Sequence, residues 1–190
     1  MKSSLRRSAL TFLLFILVCI FTGRAYYPLS VLSAVFIHET GHMLTAKAVG
    51  IPLLEVSYTP FGIRMRFDIS TVGTVSAVAV YLSGSLVSII CGAVTLHFTS
   101  PHSRAIFAFA LISLTLGIIN LMPVRGFDGG CILERLLSAK LYPDTAYRAV
   151  KAVSDVFVFF FWFCALYVSL NEGINVSMIT LSVYLILASL

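Results

Sequence analysis

Apolar residues fall into six long stretches, at about 8–22, 28–49, 72–98, 105–122, 153–170 and 174–190. A helix needs about 20 apolar residues to cross a bilayer core, so most of these stretches have the length of a membrane span. The breaks between them are short and carry helix-stopping residues, such as Gly50-Ile51-Pro52, Ser100-Pro101 and Asn171-Glu172-Gly173. Between the second and third stretches the period changes. Leu54, Val56 and Tyr58 alternate with Glu55, Ser57 and Thr59, and Phe61, Ile63, Met65, Phe67 and Ile69 alternate with Gly62, Arg64, Arg66 and Asp68. Period two means strand, and Thr59-Pro60-Phe61-Gly62 supplies a turn, so a β-hairpin is predicted over about 53–69. Ile132, Leu133, Leu136 and Leu137 form an apolar stripe opposite Glu134, Arg135 and Lys140. That pattern predicts a short amphipathic helix at the membrane interface. Tyr142-Pro143-Asp144 then restarts a helix leading into the fifth stretch. The expected architecture is an all-α polytopic membrane protein of about six transmembrane helices with a small membrane-associated β-hairpin, one domain over 1–190.

Composition supports this reading. The chain is 59% hydrophobic and 11% charged, where a soluble domain is about 45–50% apolar and about 25% charged. The net charge of +5 does not call for nucleic acid, because its distribution has a simpler cause. With the N-terminus inside, only Arg24 and Arg104 among the 13 Lys and Arg residues fall on the outer side, as the positive-inside rule requires. The termini, His42, the hairpin and Asp128 then lie on or near the cytoplasmic side. The first stretch also suits a signal peptide by length and basic flank. Thr22-Gly23-Arg24-Ala25 lacks a clear small-x-small cleavage pair, so a retained span is expected. Cys19, Cys91, Cys131 and Cys164 show no C-x-x-C spacing and imply no disulfide framework.

The second stretch carries His38-Glu39-Thr40-Gly41-His42. On a helix, positions i and i+4 share a face, so the two imidazoles can hold one zinc while Glu39 reaches a water beside it. Packed structural histidines are the plain alternative. Two histidines and a carboxylate are costly to keep in lipid, however, and an ionisable residue there is a functional candidate by default. A catalytic zinc usually has three protein ligands. His97 and His102 fall at the outer turn, across the membrane from His42. Among the acids, Glu55 and Asp68 read as strand-face charges, and Glu134 and Asp155 as helix-surface charges. Asp128 is the best candidate third ligand, because it shares a leaflet with His42 and stands among Gly126, Gly129 and Gly130, which allow close backbone approach.

HETGH in one span, followed some eighty residues later by Asn120-Leu121-Met122-Pro123-Val124-Arg125-Gly126-Phe127-Asp128-Gly129-Gly130, resembles the site-2 protease family of intramembrane zinc metalloproteases, peptidase family M50. The resemblance covers about 30–140. It implies one zinc per chain held by His38, His42 and Asp128, water activation by Glu39, and an ordering role for Asn120. It also implies hydrolysis of peptide bonds in or near transmembrane segments of membrane-protein substrates in the bilayer (regulated intramembrane proteolysis), and room for a regulatory membrane protein. Phe127 stands where the family usually has Leu. Ser85 and Ser88 stand at the Pro and Asn places of the family's Gly-Pro-x-x-Asn, so any substrate-carbonyl role of that Asn would pass to the weaker Ser88. The short outer turns leave no room for a PDZ domain and no CBS domain follows, so the layout is similar to the compact sporulation-type branch. The alternative is a zinc transporter, whose family also places H-E-x-x-H strings in spans. That pattern adds a Pro within the string and an acid just after it, where this chain has Gly41 and Met43.

Overall fold

The computed structural model describes residues 26–59, 62–68, 72–99 and 103–172. The expected first and last spans, the hairpin tip and His102 lie outside the described residues. In chain order the elements are α1 (Tyr26–Ala48), β1 (Leu53–Thr59), β2 (Gly62–Phe67), α2 (Thr74–Phe98), α3 (Arg104–Asn120), α4 (Asp128–Ser138) and α5 (Pro143–Glu172). The chain divides into two compact units, residues 1–119 and 120–190.

In the first unit, α1 starts at Tyr26, and Pro28 falls within its first turn, where a missing N–H breaks no helical bond. Its end is a Schellman motif. Gly50 takes φ +72°, Gly50 N–H donates to Lys47 O at 3.3 Å, and Ile51 N–H donates to Ala46 O at 2.8 Å. The apolar contact that accompanies such a motif is present as well: Ile51 and Ala46 are buried in one cluster with Val80, against which Phe67 and Val72 pack. The helix stop therefore also seats the hairpin that follows it.

β1 and β2 pair antiparallel as a two-stranded sheet. Leu53 pairs with Phe67 and Glu55 with Arg66, so Leu54 is the extra residue of a bulge. Apolar stands opposite apolar at Leu53–Phe67, Val56–Met65 and Tyr58–Ile63, and Ser57 stands opposite Arg64. The bulge places Leu53, rather than Leu54, opposite Phe67.

The helices approach through small residues. A methyl group at Gly41 would come within 2.9 Å of Ser83 O, and one at Gly92 within 2.8 Å of Ala110 O. A methyl at Gly117 would come within 2.7 Å of Ser85 O. Gly41 thus sits at the crossing of α1 with α2, and Gly92 and Gly117 at that of α2 with α3. The Ser30 hydroxyl, 2.9 Å from Tyr26 O and 3.1 Å from Ala105 O, adds polar contact between α1 and α3.

The second unit holds α4 and α5. The amphipathic helix expected from Ile132 begins earlier, at Asp128. Gly129 and Gly130 are poor helix formers, and they stand in its first turn because nothing larger fits there. A side chain at Gly129 would strike Leu121 O, and one at Gly130 would strike Val124 O. α5 runs unbroken for 30 residues from Pro143, joining the expected restart and the expected fifth span in one helix.

Among the described residues the usual distribution of side chains is inverted. The largest fully buried side chains are valines, Val80, Val124 and Val150. Phe36, Val75, Phe98 and Leu170 are exposed by 68%, 84%, 81% and 77%. Large apolar groups outside and small ones inside are what a hydrocarbon solvent selects. Two helices, Thr74–Phe98 and Pro143–Asn171, are long and apolar enough to cross a membrane, and Arg104–Asn120 is a shorter apolar helix. The fold is mostly helical.

Candidate metal centre

His38 and His42 lie one turn apart on α1 and are buried, at 5% and 6% exposure. Their rings meet edge to face with centroids 4.7 Å apart, and the two Nε2 atoms approach to 3.1 Å. The opposite nitrogen of each ring is held by α2. His42 Nδ1–H donates to Val80 O at 2.7 Å. A carbonyl only accepts, so this bond places the proton on Nδ1 and the lone pair on Nε2. His38 Nδ1 lies 3.1 Å from Ser88 Oγ. A hydroxyl both donates and accepts, so Ser88 can hold the His38 ring in either tautomer. Two imidazoles with Nδ1 fixed and Nε2 converging are the donor arrangement that a zinc ion requires, with its outer-shell orienters already in place.

This geometry depends on the absence of a side chain at one position of α2. A methyl group on Gly84 would overlap the His42 ring, and its Cδ2 would be 2.6 Å away. The ring therefore lies directly on the α2 backbone. The Ser83 hydroxyl, 2.7 Å from Val80 O and 3.0 Å from Gly41 O, ties the two helices at the same level.

The other expected residues are placed as follows. Glu39 is half-buried, next to His38 on α1. Ser88, expected as a weak substitute for a substrate-binding Asn, is fully buried and directed at His38. Asn120 is the last residue of α3. In the second unit Asp128 is the first residue of α4 and is half-buried. The turn before it is Val124-Arg125-Gly126-Phe127, closed by Phe127 N–H to Val124 O at 3.1 Å. Its third residue, Gly126, takes φ +86°, a conformation open to glycine at this place in a type II turn. Of the residues set aside as ligands, His97 is exposed, and Asp155 is engaged by Lys151 at 3.0 Å. Glu55 and Glu134 are exposed.

Sequence reasoning did not find Val80, whose contribution is a backbone carbonyl carrying no side-chain signal. Gly84 stands at the glycine place of the Gly-Pro-x-x-Asn pattern, which did not reveal its contact with the His42 ring.

Residues 75–164 match the model of peptidase family M50. A curated zinc metalloprotease of Methanocaldococcus jannaschii is 32% identical over 114 residues, which is 56% of this chain and 33% of that protein. The chain thus spans about a third of that relative's length. A solved site-2 protease from Methanocaldococcus jannaschii shares the fold, with a TM-score of 0.72 at 24% identity, covering 95% of this chain and 86% of that one. The family match, the curated relative and the shared fold agree in making the chain similar to the proteins of peptidase family M50.

Proposed function

We propose that the protein is an intramembrane zinc metalloendopeptidase that cuts peptide bonds in or near transmembrane segments of membrane-protein substrates. The observation that carries this reading is the pair of Nε2 atoms 3.1 Å apart, each ring anchored through Nδ1. In this reading His38, His42 and Asp128 are the ligands of one zinc. Asn120 and Ser88 support the site, Ser88 through His38. The chain acts as one membrane-embedded domain of about six spans, with both termini and the entrance for water on the cytoplasmic side. A regulatory membrane protein would control access.

Bound zinc supplies Lewis acidity, polarising a peptide carbonyl and making water easier to deprotonate. The remaining steps belong to the chain's own groups. The Glu39 carboxylate takes a proton from the attacking water as its oxygen bonds to the carbonyl carbon. Glu39 then returns that proton to the amide nitrogen as the C–N bond breaks. Ser88 and Val80 O keep both rings turned so that neither reorients during the cycle.

The test separates binding from chemistry. Purified protein should contain one zinc and cut a membrane-embedded peptide. Glu39→Gln keeps shape and hydrogen bonding but loses the base, so it should retain zinc and lose cleavage by at least about 100-fold. His38→Ala should lose both. Zinc uptake into vesicles without any cleavage would instead mark a transporter, and a Glu39→Gln protein cutting at the wild-type rate would remove Glu39 from the mechanism.

A further inference from the structure

The loop before Asp128 is held from α5, and the proposed reaction assigns that hold no role. Ser154 is fully buried on α5. Its Oγ accepts the Arg125 N–H at 2.8 Å and lies 3.3 Å from Pro123 O, to which its hydroxyl can donate. The Arg125 N–H belongs to the second residue of the β-turn that Phe127 N–H closes on Val124 O. A turn's own hydrogen bond leaves that N–H unused, and in an apolar surrounding it must find an acceptor elsewhere. Seven residues earlier on α5, and so on the same face, the Tyr147 ring receives the Arg125 guanidinium at 4.4 Å. Val150, fully buried between them, completes the stripe. Arg125 is therefore gripped at both its backbone and its side chain by one face of α5. The turn it belongs to ends one residue before Asp128.

We infer that Ser154 is a positioning residue for the metal site: by fixing the Val124–Phe127 turn it sets where the Asp128 carboxylate stands. The inference rests on the proposed reading that Asp128 is a zinc ligand. Position 154 touches neither metal nor substrate. Its effect passes through the turn, and Gly129 and Gly130, pressed against Leu121 O and Val124 O, transmit a shift of the turn directly into the start of α4.

The experiment uses the full chain in lipid nanodiscs, loaded with zinc for affinity and with cobalt(II) for its ligand-field spectrum. Ser154→Ala should weaken zinc binding by about tenfold, the lower end of what losing a partner bonded directly to a ligand costs, because its hold reaches Asp128 through the turn. Its cobalt spectrum should move toward that of Asp128→Ala, a change that loss of general stability would not produce. Ser154→Cys keeps a weak donor and acceptor in similar volume and should fall between wild type and Ser154→Ala, which preserves the test if the alanine variant does not fold. Wild-type affinity and spectrum in either folded Ser154 variant, with Asp128→Ala strongly impaired, would overturn the inference and leave the ligand assignment standing. An Asp128→Ala protein with unchanged affinity and spectrum would overturn both.

Discussion

At the scale of single residues, the site divides into groups the chemistry demands and groups the packing demands. Zinc needs imidazole and carboxylate donors, so His38, His42 and Asp128 could be singled out from their types and spacing. Gly84 could not, because its function is to have no side chain where the His42 ring lies. Gly84→Ala tests this. Alanine favours helix over glycine, so α2 has no intrinsic reason to suffer. The new methyl must nonetheless displace the His42 ring from Val80 O. Zinc affinity should fall by about 10- to 100-fold while helix content stays at the wild-type level. Unchanged affinity, read by competition with a chelator, would show that the ring has room to move. Ser88 stood out in the sequence as possible support for the site. The sequence offered it as a partner for substrate, and the structure turns it toward His38.

At the scale of elements, the described helices α1, α2 and α3 lie within a few residues of apolar runs, because such runs and Gly/Pro breaks mark helices strongly. The exceptions have local causes. The start of α4 was hidden by two glycines, poor helix formers placed where no larger residue fits. The bulge at Leu54 was hidden because consecutive Leu53 and Leu54 fit either register. The hairpin also bears on substrate capture. A transmembrane segment must unwind before it is cut, which exposes N–H and C=O groups that are expensive to leave unpaired. Among the described residues β1 and β2 pair only with each other as a sheet, so each has an outer edge able to accept an added strand. Proline substitutions scanned across Val56 to Tyr58 and Ile63 to Phe67 should include positions that cut cleavage at least about tenfold with zinc retained, since proline deletes an edge donor. Ile63→Val should matter far less. Normal cleavage by every folded proline variant would assign substrate holding to another element.

At the scale of the whole molecule, composition announced a membrane protein, and burial among the described residues agrees with it: valine is the largest fully buried side chain, while Phe36, Phe98, Phe159 and Phe160 are exposed. The number of spans is less directly readable from α1. Glu39, Lys47 and the two histidines lower its hydropathy, although its 23 residues, at about 1.5 Å each, suffice for a bilayer core of about 30 Å. The charge map offers an orientation to test. Reporter fusions after Leu190 and within Lys140 to Asp144 should read cytoplasmic, and one at His102 should read outside. A fusion at Lys140 reading outside would invert the topology and place the proposed water entrance on the opposite face.

The bond from His42 to Val80 O has a consequence for how this site tolerates mutational drift. One ligand is oriented by a side chain, Ser88, and a single codon change can erase that orienter. The other is oriented by an atom that every amino acid carries. Position 80 can therefore wander among residues small enough for the interior without disturbing the His42 tautomer, as long as α2 keeps its register. An alignment of descendants would show variation at the residue that holds the ring and invariance at Gly84, which holds nothing.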